Sequence, residues 1–252
     1  MPDLPHQSPP YSIAFDHDRL FRLRANGSQS LILDFNKNID DKADPLILIH
    51  QLTQYLIAHP PRHLINIIPA SFSVTLVFSV VVIPDDHWQD YFCQSLDACQ
   101  GHPLDSQTHV VEVCYETNHY ETGPNNTMAS DSNSVCEILQ CNTSQLIEAH
   151  CSVHYRVDML GFLPGFAYLS GLSEALQLPR KSKPTLNVPA GSVAIGGQYS
   201  AIYPVQSPGG WHVIGHTHFK CIDWQRAEFC PFKPLDTVRF VPISLDQWLT
   251  QQ

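Results

Sequence analysis

Charge is scarce in this chain. Asp, Glu, Lys and Arg make up 15% of its 252 residues, and 24 acidic side chains outnumber 14 basic ones, for a net charge of −10 with histidine neutral. The cations are scattered, so no basic stripe is present to neutralise phosphates, which argues against a nucleic-acid partner. Long apolar runs are missing as well. The longest, residues 74–83, is broken by Thr75 and Ser79 and falls far short of the roughly 20 residues that cross a bilayer. It reads as a buried strand, and no membrane partner is expected. Met1-Pro2-Asp3-Leu4-Pro5 has neither the basic nor the apolar part of a signal peptide, so a short disordered arm and a cytoplasmic location are expected. The eight cysteines (93, 99, 114, 136, 141, 151, 221 and 230) include no C-x-x-C pair. That points to reduced, mostly buried thiols rather than a disulfide framework. A P-loop, a G-x-G-x-x-G, a G-x-S-x-G elbow and an H-E-x-x-H are all absent, which removes the common signatures of nucleotide cradles, serine hydrolases and zinc proteases.

What is present suits one large domain or two small ones. Residues 20–24 and 31–35 flank Asn26-Gly27, a hairpin turn signal. After Pro45, the residues Leu46, Ile49, Leu52 and Leu56 recur at helical spacing until Pro60-Pro61. Residues 63–69 and 73–83 read as strands. Pro84-Asp85-Asp86 then opens a second helix, whose acidic first turn suits the helix dipole and whose apolar stripe is Trp88, Phe92, Leu96 and Cys99. Strands with two such helices predict a small α+β sandwich, close to a ferredoxin-like layer. A boundary is expected within 100–107. Beyond it, 109–115 alternates like a strand, and the polar stretch 116–134 reads as a mobile loop. Short helices are expected at 135–140 and 144–150, the second capped by Asn142 or Thr143. A last strand, 238–243, precedes a short polar tail.

Between His150 and Thr217, glycine and proline crowd beside aromatics with little charge. No helix tolerates that density of Gly and Pro, so β-structure with shaped loops is expected. Gly161-Phe162-Leu163-Pro164-Gly165 and Ser207-Pro208-Gly209-Gly210-Trp211 are either plain tight turns or backbone cradles for an anion. Arg180 is either a carboxylate or phosphate clamp or the partner of a buried acid. His212, His216 and His218 share one strand face if 211–219 is extended, and His150 and His154 share a helix face at zinc-site spacing. The strand-like alternation of 152–157 separates that second pair, and no metal site is expected. Ser192, Ser207 and Cys151 are available nucleophiles, while Tyr168 and Trp211 read as core or as a ligand platform.

The runs GFLPGFAYL (161–169), PRK (179–181) and VPAGSVAIGG (188–197), followed by Tyr203-Pro204, SPGGW (207–211) and IGHT (214–217), resemble the family of the 5-oxoprolinase B subunit. That family is also called allophanate hydrolase subunit 1 or KipI-like, and forms half of the carboxyltransferase unit of urea carboxylase. The likeness is strong over 150–243 and extends to the layout of elements before that. It implies an α+β chain with an N-terminal ferredoxin-like sandwich (1–105) and a C-terminal cyclophilin-like β-barrel (106–252). The implied activity is ATP-dependent opening of 5-oxoproline to glutamate, with ATP and magnesium as cofactors and no turnover by the chain alone. The implied partners are a homologous C subunit, allophanate hydrolase subunit 2-like, and a lactam-utilisation subunit. Other members inhibit a sensor histidine kinase, or serve as half of a biotin-dependent urea carboxyltransferase. Carried over to matching positions, catalysis falls to His150, Tyr155, Arg180 and Ser192. Ligand binding falls to Gly165, Tyr168, Ser207, Gly209, Gly210 and Trp211, with no metal ligand. The chain also departs from the family pattern. Thr185 stands where a second arginine is usual, Tyr199-Ser200-Ala201 replaces Gln-Thr-Gly, and Pro234-Leu235-Asp236 replaces Pro-Gly-Asp. Residues 116–134 also lack the usual Gly-Pro-Asp-Leu form.

Overall fold

The computed structural model describes residues 15–16, 20–36, 44–101, 104–116, 130–226 and 228–251. The expected N-terminal arm and most of the expected mobile loop, 117–129, lie outside them. The chain divides into two units, 1–105 and 106–252.

In the first unit the strands are β1 (Phe15–Asp16), β2 (Phe21–Ala25), β3 (Ser30–Phe35), β4 (Leu64–Ala70) and β5 (Ser73–Phe78). They pair antiparallel in the order β1-β2-β3-β5-β4. Alternation puts Leu31, Leu33 and Phe35 of β3 and Val74, Leu76 and Phe78 of β5 into one core. Two helices cover that face, α1 (Pro45–Ala58) through Ile49, Leu52 and Leu56, and α2 (Asp86–Cys99) through Phe92, Leu96 and Cys99. Asp44 caps α1 by accepting from the Leu46 N–H, with Pro45 in the first turn, where its missing N–H costs nothing. Asp85 caps α2 through the Trp88 N–H. The strand expected over 73–83 stops at Phe78. Past it the Val82 N–H bonds to Ser28 O at the hairpin tip and Val82 is buried, while Val81 and Ile83 face solvent.

The second unit holds β6 (Thr108–Cys114), β7 (Tyr155–Leu160), β8 (Ala167–Ser170), β9 (Thr185–Val188), β10 (Ser192–Gly196), β11 (Tyr199–Ile202), β12 (Ser207–Gly209), β13 (His212–His216) and β14 (Thr237–Ile243). Seven of them close a barrel in the order β10-β11-β8-β7-β14-β6-β13, and β9 and β12 form a separate two-stranded ribbon. Within the barrel only β6 and β14 run parallel. Val111, Val113, Val157, Leu169, Ile195 and Ile214 belong to its core. Closure leaves no strand edge unpaired, and the short, Gly/Pro-punctuated strands of 155–216 supply the corners.

Three helices flank the barrel, α3 (Ser132–Leu139), α4 (Thr143–Cys151) and α5 (Leu245–Leu249). α4 starts with a full capping box between Asn142 and Gln145, as its sequence predicts. Residues 132–134, expected in a loop, form the first turn of α3. There the Ser132 hydroxyl donates to Ile214 O and the Asp131 carboxylate accepts from the Val213 N–H. The expected polar tail is instead α5, held by a second capping box, Ser244 with Gln247, and by Trp248 stacked on His218 at 4.3 Å. Among the described residues no helix is long and apolar enough to cross a membrane.

Candidate ligand groove

The groove is built where the chain between β8 and β9 meets the turn between β12 and β13. His212 Nε2 donates to Pro179 O at 3.0 Å, and the Lys181 N–H donates to Gly210 O at 2.7 Å. Arg180 is therefore fixed through its backbone from both sides. Two adjoining hollows open there, of about 650 Å³ and about 240 Å³, and Tyr168, Arg180 and Trp211 line both. The larger also takes Gly196, Gln198 and Tyr199 into its wall, and the smaller takes Phe162, Tyr203, Gly209 and Gly210.

The floor is aromatic. Trp211, buried, meets Phe166 edge-on at 5.6 Å and Tyr168 at 5.8 Å, and Phe166 meets Tyr203 at 5.5 Å. Such edge-to-face sets hold rings rigidly. Gly209 lies directly on the Tyr203 phenol, so any side chain there would overlap the ring. Gly165 has φ +78°, and a Cβ on it would stand 2.6 Å from Cys221 O. It sits outside these two hollows, among the residues of a neighbouring one that Phe162 also lines.

Arg180 is exposed, and among the described residues it has no ion pair. The salt bridge of this segment belongs to its neighbour. Lys181 Nζ donates to Asp131 Oδ2 at 2.8 Å and to Thr185 Oγ1 at 2.7 Å. The buried-acid reading of Arg180 is thereby set aside. Its charge reaches Tyr203, whose pKa is raised by burial and lowered in smaller part by Arg180. Thr185, at the place of the usual second arginine, serves here as an acceptor for Lys181.

His150 and Tyr155 lie elsewhere, in the barrel core. His150 is fully buried and stacks on Phe240 at 4.6 Å. Its Nε2 meets Ser200 Oγ at 2.9 Å, and Ser200 donates to Ala194 O, so Nε2 carries the hydrogen and Nδ1 accepts from the Tyr115 hydroxyl at 2.8 Å. The Tyr115 oxygen is left to accept from the Cys151 thiol at 3.3 Å. Tyr155 donates to His150 O. Burial pushes the His150 pKa down to about 3 and raises that of Tyr155 above the usual phenol range. Ser200 stands at the middle of the altered Gln-Thr-Gly, so the substitution keeps a hydroxyl there. Ser192 and Ser207 are buried on β10 and β12 and line neither hollow, and among the described residues their hydroxyls have no hydrogen-bond partner.

The histidine clusters do not converge. His212 is spent on Pro179 O, His218 on Trp248 O, and α4 ends at Cys151, so no helix face joins His150 to His154. Among the described residues no three His, Cys, Asp or Glu side chains are placed to hold a metal ion. Phe162, Tyr203 and Gln198 are among the groove residues to which the sequence assigns no ligand role. Phe162 is half out of the chain's own packing, 59% exposed with φ +69°, a conformation no pattern of residue types announces.

A family description, "Carboxyltransferase domain, subdomain C and D", matches residues 21–232. The chain belongs to this family. Of curated relatives, the B subunit of 5-oxoprolinase from Bacillus subtilis (strain 168) is 28% identical over 235 residues, 89% of this chain and 93% of the relative. Proteins of the same name from Escherichia coli O157:H7 and Haemophilus influenzae are 52% and 42% identical, over 39% and 44% of this chain. Those two alignments span about half of each relative's length, 45% and 52%. Among solved structures, TTHA0988 superposes with a TM-score of 0.67 at 27% identity, over 85% of this chain and 40% of that one. The Kluyveromyces lactis urea carboxylase superposes at 0.70 with 15% identity, over 98% of this chain and 24% of that one. The second likeness establishes that this carboxyltransferase-domain chain shares the fold of part of urea carboxylase.

Proposed function

We propose that this chain is the B subunit of an ATP-dependent 5-oxoprolinase-type hydrolase, which opens 5-oxoproline to glutamate. The observation that carries the reading is Arg180, an uncompensated cation lining the groove beside an aromatic floor. A planar guanidinium of this kind pairs with a carboxylate through two parallel hydrogen bonds. A small lactam ring suits the aromatic wall that Tyr168 and Trp211 form, with the partly exposed Gly210 beside it. The chain's residues bind and orient the carboxylate end and keep water off one ring face. The names of the curated relatives support the assignment.

A triphosphate with magnesium does not fit this groove. Arg180 is its one cation among the described residues, Lys181 being engaged with Asp131, and no acidic cluster accompanies it. Nucleotide handling is therefore assigned to the partners, a homologous C subunit and a lactam-utilisation subunit, and the chain alone has no turnover. That the matched region occupies 40% of TTHA0988 supports a companion unit beside it. Within the same reading the units are a ferredoxin-like sandwich and a cyclophilin-like barrel, divided at 105/106, in a cytoplasmic protein.

The test is reconstitution. Glutamate release from 5-oxoproline and ATP is measured for the chain alone and mixed with homologues of the C and lactam-utilisation subunits. Turnover only in the full mixture is expected. Absence of turnover in the mixture, with inhibition of a sensor histidine kinase or carboxyl transfer to urea instead, overturns the assignment.

A further inference from the structure

α3 ends in a way that brings two thiols together. Gln140 adopts φ 54° and ψ 40°, and the Cys141 N–H reaches back to Cys136 O at 3.1 Å. This six-to-one bond is a Schellman closure, which sets the side chains of its first and last residues against one another. An apolar pair usually fills those places; here both are cysteine, and both pack against the barrel core. Both are half-buried, whereas Cys99, Cys114 and Cys221 are sealed in the cores. The turn is short and the backbone bond ties its two ends together, so bridging needs no long-range movement.

We propose that Cys136 and Cys141 form a reversible intramolecular disulfide by exchange with a small-molecule disulfide of the glutathione type. One thiolate attacks a sulfur of oxidised glutathione and releases one glutathione thiolate, leaving a mixed disulfide. The neighbouring thiolate then attacks the protein sulfur of that mixed disulfide and releases the second glutathione. Two protein thiols are oxidised, one small disulfide is reduced, and the two protons end on the two glutathiones. Burial, and then the Cys141 thiol, raise the Cys136 pKa, which makes Cys136 a poor first attacker. The closed ring covers the last turn of α3 and ends one residue before Asn142, the cap of α4. It thus clamps the joint between two helices whose far end, at Asp131, holds Lys181 beside the groove.

The experiment uses the full chain, reduced, desalted and exposed to oxidised glutathione, then alkylated and mapped by peptide mass spectrometry. The expected product is a peptide spanning 136–141 that has lost two hydrogens, resists alkylation, forms before any other cysteine reacts, and reopens with dithiothreitol. Cys136→Ser should instead trap glutathione on Cys141, and Cys141→Ala should leave Cys136 slow to react, with both variants melting like the parent. Persistence of a glutathione adduct at Cys141 in the parent chain overturns the proposal. So does earlier oxidation of Cys151 or of the Cys221 and Cys230 pair.

Discussion

Arg180 carries its charge into the groove with no carboxylate among the described residues to offset it, so replacing it should change binding and leave folding alone. Arg180→Lys keeps the charge and loses the two-pronged geometry. Charge-assisted hydrogen bonds are worth roughly 1.5–3 kcal/mol, so kcat/KM of the reconstituted mixture should fall about ten- to a hundred-fold. Thermal unfolding of Arg180→Lys and Arg180→Ala should match the parent, and a large drop in Tm would mean that the side chain is structural. His150 makes the opposite case. Its folded pKa of about 3 lies below the ordinary value of 6.5. Above pH 6.5 both states are neutral and the group contributes no pH dependence. As pH falls from 6.5 towards 3 the unfolded chain takes up the proton first, and stability is lost at up to about 1.4 kcal/mol per pH unit. His150→Gln removes the titration, so the gap in Tm between parent and variant should narrow steadily between pH 7 and pH 4; a constant gap would refute this. Site residues divide the same way in their legibility. Tyr168, Gly209, Gly210 and Trp211 sit in turn-rich sequence and do line the groove. His150, Tyr155 and Ser192 sit in the core, and for Ser192 sequence could not show it: β10 is buried on both faces, so no alternation marks an inside.

At the scale of elements, the turn before β14 is the most informative. Leu235 has φ +73°, in the position where the resemblance leads one to expect glycine. The left-handed region costs a non-glycine residue about 1–2 kcal/mol, against about 0.5–1 kcal/mol of extra chain entropy for glycine. Leu235→Gly should therefore raise stability by up to about 1 kcal/mol, seen as a higher midpoint in urea at unchanged slope; a fall would show that Leu235 packing outweighs the strain. The turn is kept in place by Asp236, 1% exposed, which accepts from the Gln107 and Lys233 N–H groups and from His109. Helices announce themselves through caps and periodicity: Asp44 with Pro45, Asp85, and the Asn142 box all stand where their residues predict. α5 escapes such a reading although Ser244 and Gln247 have the capping-box spacing, because so few residues follow them that no period can develop. The overlong expectation for β5 has a different cause. Val80 to Ile83 are β-branched and apolar, but only Val82 finds a core to enter, and burial rather than propensity decides where the strand ends.

For the whole molecule, the second unit begins and ends in the same ladder. β6 is its first strand and β14 its last, and they run side by side from Thr108 opposite Thr237 to Cys114 opposite Ile243. β14 also joins β7, through Thr237 and Val238. Stopping the chain after Asp236 should leave both neighbours with open edges, and the truncated protein should elute as aggregate in size-exclusion chromatography. A monomeric, cooperatively melting product would show that the barrel tolerates the gap. The same pairing constrains how the protein is made. A ribosome delivers β6 first of the barrel strands and its parallel mate last, so the ring has no closing partner until β14 has been made. Until then the nascent barrel holds two unsatisfied edges, and this unit cannot close before its last strand has left the ribosome.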